Sequence, residues 1–265
     1  MAGKTMKALV LRKHGGLGDL EVVSDYPMPQ VTEGNVVIRV RASSFNYHDV
    51  FTVKGMPGIK VPLPVAYGTA HRMLITHKTV KAGDRVIVLG ASGGVGTGCV
   101  ILAKLLGAEV IACASSEDKM RRLKELGASE VVDYTKVDWS KWAVEKYGKP
   151  QRRSYEGGVD VVINFTGGDT WHPSLRCLKR GGKLLVCGAT AGHDPKEDLR
   201  YVWSFEIEIK GSNSFYDDNL AALMELIQQG KIKPVIDKVL PLEQAAEGLR
   251  LIQDREIFGK VVVTP

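Results

Sequence analysis

The residues best placed to do chemistry are glycines. Val86-Ile-Val-Leu-Gly90-Ala-Ser92-Gly93-Gly94-Val95-Gly96 runs from an apolar stretch into closely spaced glycines and then into a second apolar stretch. A strand that ends this way and opens a helix lets the backbone approach a pyrophosphate, whose charge meets unbonded N–H groups and the positive end of the helix. The spacing is GxxGxxG rather than GxGxxG, and any tight strand-to-helix turn also uses glycine. What points to a dinucleotide is the placement of the run at the first strand–helix–strand unit of a longer alternating series.

The second informative position is the end of the next strand, where a carboxylate would hold the ribose 2′-hydroxyl of NAD. Here Cys113-Ala114 leads into Ser115-Ser116, with Lys119 and Arg122 in the following turn and Glu117 and Asp118 beside them. Hydroxyls with a cation suit a 2′-phosphate better than an acid does, so these residues favour NADPH. The alternative is that Lys119 and Arg122 form the solvated face of an amphipathic helix.

These side chains need elements to hold them. Residues 1–65 read as β-rich, with strands at Lys7–Leu11, Leu20–Val23 and Val36–Ala42 and a short helix at Tyr47–Val53. Gly55–Pro64, rich in Pro and Gly, reads as a connection. From Ala66 strands and helices alternate, as in a parallel sheet with crossover helices. The strands fall at Arg85–Leu89, Glu109–Ala114, Glu130–Val132, Val159–Asn164, Gly182–Cys187 and Phe205–Lys210, with helices between them and at Tyr67–Lys78 and Asp218–Gln228. The tail adds a strand at Val235–Leu240, an amphipathic helix at Leu242–Asp254 and a strand at Lys260–Val263. The fold class is α/β: a Rossmann-type doubly wound parallel sheet over 66–230, flanked by β-rich segments 1–65 and 231–265.

Composition sets the outer limits. With 265 residues, 44% hydrophobic and 25% charged, the chain can bury a sizeable core as one large domain or two ordinary ones. The net charge of +6 favours anions, but Lys and Arg are interleaved with acids and no zinc-finger or RNP pattern occurs, so nucleic acid is not the expected partner. Cys99, Cys113, Cys177 and Cys187 stand singly without CxxC spacing, which reads as buried thiols of a cytoplasmic protein rather than a disulfide or zinc framework. Lys104 and Glu109 break the longest apolar run, so no membrane segment is expected.

The run AGDRVIVLGASGGVGTGCVILAKLLGAEVIA resembles the zinc-free quinone oxidoreductase (zeta-crystallin-like) branch of the medium-chain dehydrogenase/reductase superfamily. KELGASEVVDY, GGVDVVINFTGG, LKRGGKLLVCGATAG and the ending FGKVVV agree with it. The resemblance implies that Gly90, Ser92, Gly93, Gly94, Val95 and Gly96 hold the pyrophosphate. It implies that Ser115, Ser116, Lys119 and Tyr134 frame the 2′-phosphate and adenosine, and that Thr166, Gly188, Ala189 and Lys260 lie near the cofactor. It also implies a homodimer through strand 205–210.

In the same family, Ser44-Phe-Asn46-Tyr47-His48-Asp49 corresponds to the active-site segment of a GroES-like domain, in which zinc-dependent members carry a catalytic Cys. Asn46 takes that place, so the resemblance implies no metal, with Asn46, Tyr47 and His48 as the catalytic candidates and solvent as an equal contender for the proton. The alternative for His48 is a local hydrogen-bonded pair with Asp49. The chain departs from the family after Val61-Pro-Leu-Pro-Val65, where further strands of the GroES-like domain are absent and Ala66-Tyr67-Gly68-Thr69-Ala70-His71 follows directly. The expected function is an NADPH-dependent reductase of quinones, enones or related activated carbonyls, possessing weakened activity. The alternatives are an NADPH-binding protein without significant turnover and, on net charge alone, a nucleic-acid binder.

Overall fold

The computed structural model describes residues 4–56 and 66–265, which fall into two compact units: residues 4–56 with Ile236–Pro265, and residues 66–235. The expected connection at Gly55–Pro64 lies, from Pro57 onward, outside the described residues.

The N-terminal segment begins with β1 (Thr5–Leu11) and β2 (Leu20–Pro27), an antiparallel hairpin in which Leu11 pairs with Leu20. β3 (Ser43–Ser44) and α1 (Tyr47–Lys54) follow, and Gly55 ends α1 in the left-handed conformation that glycine adopts at least cost. The strand expected at Val36–Ala42 does not form. Those residues have no regular structure, with Val36 85% and Ile38 74% exposed. A strand needs a ladder partner, and here only Ser43 and Ser44 find one, opposite Val263 and Val262.

The second unit starts with α2 (Ala66–His71), which runs into a π turn at Arg72–Thr76, short of the expected Lys78. Then β4 (Arg85–Val88), α3 (Gly94–Leu105), β5 (Glu109–Ala114), α4 (Glu117–Glu125), β6 (Glu130–Asp133) and α5 (Trp139–Tyr147) alternate. The series continues with β7 (Val159–Ile163), α6 (Trp171–Cys177), β8 (Leu178–Val186), α7 (Leu199–Ser204), β9 (Glu208–Gly211) and α8 (Asp217–Gln228).

The six strands form one parallel sheet in the order β6-β5-β4-β7-β8-β9. The central strands Val86–Val88, Val110–Ala114 and Val161–Ile163 are buried on both faces, as their unbroken apolar runs require. Cys99, Cys113 and Cys177 pack in this interior as small hydrophobes. β9 starts later than the expected Phe205, because the chain is still closing α7 there: Phe205 and Ile207 donate to Tyr201 and Val202 on either side of Glu206, which turns at φ +52. The order of the strands reverses between β4 and β7, so their carboxyl ends flank a crevice.

The chain ends with β10 (Ile236–Pro241), α9 (Ala245–Gln253) and β11 (Lys260–Thr264). β11 pairs parallel with β10 and antiparallel with β3. Phe45, Val50, Val53, Leu249, Ile252, Val261 and Val263 form the core of this first unit. Among the described residues no helix is long and apolar enough to cross a membrane.

Candidate functional site

Within the second unit, the site is built at the carboxyl end of β4. Gly90 turns there with φ +60, and a methyl group on it would lie 3.0 Å from the Phe165 ring. Gly96 is more tightly constrained, since a Cβ would stand 2.2 Å from the Gly90 carbonyl oxygen, so only glycine lets α3 begin this close to the strand. Gly93 caps α3 in extended backbone and lends it no side-chain hydrogen bond. The first bond inside the helix is Thr97 N to Gly93 O at 2.9 Å. The amides of Gly94, Val95 and Gly96 therefore precede the helical ladder and lack carbonyls within it. Half-buried Ser92 stands beside them. Amides at a positive helix end, on backbone with no side chain in the way, are the donor set a pyrophosphate needs, so these residues fit a dinucleotide.

The residues expected around a 2′-phosphate meet at the carboxyl ends of β5 and β6. Tyr134 N donates to Ala114 O at 3.2 Å, which brings Tyr134 alongside Ser115 and Ser116. Ser116 also has a structural duty, because its Oγ accepts from Lys119 N at 3.4 Å and caps α4. Lys119 is half-buried in the first turn of that helix. Arg122, half-buried, pairs with Asp118 at 3.9 Å. Glu117 pairs with Lys136 at 3.5 Å.

The loops after β7 and β8 meet through Asn164, which the sequence reading overlooked. Fully buried, it donates from Nδ2 to Thr170 Oγ1 at 3.0 Å and Ser174 Oγ at 2.9 Å, and its Oδ1 accepts from the amides of Thr166 and Gly167 at 3.0 and 2.9 Å. Asn164 thus fixes Thr166, whose carbonyl receives Ala191 N at 2.7 Å. This holds Gly188 and Ala189 near Thr166 and beneath Phe165, whose own carbonyl accepts from Thr190 N at 3.2 Å. The signal in the sequence was an amide closing the apolar run Val159–Ile163.

The catalytic candidates sit in the first unit, together with Lys260. Asn46 precedes α1, and its backbone N–H donates to the Asp49 carboxylate at 2.5 Å. Lys260, 8% exposed at the start of β11, donates to Asn46 Oδ1 at 2.6 Å and to the Phe45 carbonyl. Burial pushes the Lys260 ammonium down to about 8 against the pull of Asp49, and burial likewise raises the Asp49 carboxyl. Tyr47 packs edge-on against Phe51, with ring centroids 5.0 Å apart. His48 is exposed and tilts toward Phe51, while Asp49 turns to the Asn46 amide. The expected His48–Asp49 hydrogen-bonded pair is therefore replaced by a helix cap. Among the described residues no three His, Cys, Asp or Glu side chains converge to hold a metal ion.

A family model described as zinc-binding dehydrogenase matches residues 94–229. The chain is 32% identical over 209 residues to an acryloyl-coenzyme A reductase of Sulfurisphaera tokodaii, a match covering 77% of this chain and 58% of that protein. It is 32% identical over 208 residues to a quinone oxidoreductase of Pongo abelii, covering 75% and 60%. Among solved structures, an NAD-dependent alcohol dehydrogenase superposes with a TM-score of 0.87 at 28% identity, covering 98% of this chain and 100% of that one. The 2-octenoyl-CoA carboxylase reductase CinF, solved with NADP and 2-octenoyl-CoA, superposes with a TM-score of 0.69 at 30% identity, covering 76% and 48%. The chain spans little more than half the length of the two curated relatives.

Proposed function

The chain belongs to the zinc-binding dehydrogenase family of the medium-chain dehydrogenase/reductases, and on that premise we propose that it is an NADPH-dependent reductase of quinones, enones or related activated carbonyls. The observation that carries the proposal is the glycine cradle at Gly90, Gly93 and Gly96, which leaves the first amides of α3 open to a pyrophosphate. Residues 66–230 serve as the dinucleotide domain, and residues 1–65 with 231–265 as the remaining part of the catalytic one. NADPH, when bound, supplies a hydride.

The chain's own residues do the rest. Ser115, Ser116, Lys119 and Tyr134 offer hydroxyls and a cation for the 2′-phosphate, and Thr166, Gly188 and Ala189 are held in place by Asn164. That hydroxyls and a lysine follow β5 in place of an acid favours NADPH over NADH. A resident zinc does not fit, because Asn46, a poor zinc ligand, already receives the Lys260 ammonium on its oxygen. Asn46 and Lys260 form a polar pair able to orient a carbonyl oxygen, and Tyr47, His48 and water are the available proton sources. A cytoplasmic homodimer paired along β9 completes the reading.

A second reading, NADPH binding without significant turnover, draws on the exposed run at Val36–Val40, where a folded substrate wall would bury its apolar residues. Initial rates of NADPH and NADH oxidation with small quinones and enoyl thioesters separate the two. The expected result is weak but measurable turnover, with NADPH bound at least ~tenfold more tightly than NADH, about 1.4 kcal/mol, and a narrower gap in Lys119→Ala. Equal affinities would overturn the NADPH assignment, and rates no higher than those of a Gly93→Trp variant would favour the binding protein.

A further inference from the structure

Away from the glycine loop, the second unit holds a cavity of about 790 Å³ between α5, the segment after it, the end of α6 and α7. That volume lies within the range of small-molecule sites. Its rim is strongly basic. Lys149, Arg152 and Arg153 come from one short segment and Arg176 from the last turn of α6, and none of the four has an acidic partner among the described residues. A fifth cation of the lining, Lys141, is already paired with Asp138 at 3.7 Å, and the one acid of the lining is Glu145.

The floor is aromatic. The Tyr201 and Phe205 rings are nearly parallel, at 12° with centroids 5.9 Å apart, and the Arg152 guanidinium stands 5.9 Å from the Phe205 ring. A smaller cavity of about 180 Å³ shares Arg152, Tyr201 and Phe205 and is also lined by Arg200.

Exposed cations that repel one another without acids to neutralise them cost stability, and a bound polyanion offsets that cost. Guanidinium groups bind phosphate through paired N–H donors, and a planar ring is favoured beside an aromatic floor edged by an arginine. None of the lining residues belongs to the dinucleotide loops, so the cavity is a separate site. We propose that this basic cavity binds a phosphorylated small molecule bearing a planar group, of the chemistry of a nucleoside diphosphate, with the phosphates on Arg152, Arg153 and Arg176 and the ring by Tyr201 and Phe205.

Calorimetric titration of the full chain with ADP, pyrophosphate and adenosine, each in the presence of saturating NADPH, tests the proposal. ADP is expected to bind with one equivalent per chain, at least tenfold more tightly than pyrophosphate or adenosine, and more weakly as salt is raised. Arg152→Glu/Arg176→Glu, which changes only exposed side chains and relieves the repulsion among the cations, is expected to weaken ADP at least tenfold while NADPH binding stays at the wild-type value and the melting temperature does not fall. Arg152→Lys/Arg176→Lys, which keeps the charge, should retain part of the affinity. The proposal is overturned by absence of ADP binding, by ADP binding no tighter than pyrophosphate, or by ADP binding unaffected by charge reversal. Displacement of ADP by single-stranded or duplex DNA at lower concentration would overturn it in favour of a nucleic-acid surface.

Discussion

The Lys260 ammonium donates to the side-chain oxygen of Asn46 at 2.6 Å, across 214 positions of sequence. The Asn46 amide is thus held by a buried cation of the chain itself, with Asp49 close enough to act on that cation.

This pair has a pH signature. Burial places the folded-state value of Lys260 near 8, below that of an unfolded lysine. Below about 8 both states hold the proton and the cost of burying the charge is present in full. Between about 8 and the ordinary lysine range the unfolded chain holds the proton and the folded chain has released it, so stability rises with pH. Relative to Lys260→Gln, which keeps a donor for Asn46 but cannot titrate, the wild type is expected to gain up to about 1.4 kcal/mol per pH unit over that window. Denaturant unfolding across pH checks it; parallel profiles for the two proteins would contradict it.

The glycines of the loop do two different jobs, and single methyl groups separate them. At Gly96 a Cβ would meet the Gly90 carbonyl at 2.2 Å, so Gly96→Ala is expected to cost about 1–3 kcal/mol of stability and to abolish NADPH binding. At Gly93 the nearest atom is 3.4 Å away and the backbone is extended, so Gly93→Ala should fold normally while weakening NADPH roughly tenfold. Thermal unfolding and calorimetry on the two variants read the difference. Wild-type cofactor affinity in both would show that no pyrophosphate rests there.

Much of this was legible in the sequence because it is local. Strand runs such as Val110–Ala114 must be buried on both faces, and the glycine spacing fixes a strand-to-helix turn whatever surrounds it. What stayed hidden depends on distant partners. Val36–Ala42 has strand composition, yet a strand forms only beside another strand, and composition does not reveal that the partner is lacking. Asn164 reads as an ordinary strand end until Thr170 and Ser174 fold back onto it. Lys149, Arg152 and Arg153 are near neighbours in the chain, but Arg176 is not, and only the packing of α6 against α5 brings it to the same cavity.

Association should follow the sheet edge, but not through the center of the expected strand 205–210. Ile207 is buried in the core, so changing it would disturb folding as well as pairing. β9 is the outer strand of the sheet, and Ser212 N donates to Val186 O. Donors toward one neighbour recur at every second residue, so the Ile209 amide faces outward. Sedimentation is expected to show a wild-type dimer and an Ile209→Pro monomer that still binds NADPH. A monomeric wild type at micromolar concentration would rule out edge pairing.

The account stands or falls on hydride transfer from the cofactor that the glycine loop is proposed to hold. The most direct measurement is mass spectrometry of the product formed from a small enone or enoyl thioester with NADPH carrying deuterium at the reactive carbon of the nicotinamide. One deuterium per product molecule is expected with the wild type, and none above background with Gly96→Ala. NADPH that binds to the wild type but leaves no label in any product of the panel would contradict the account and make the chain a cofactor-binding protein.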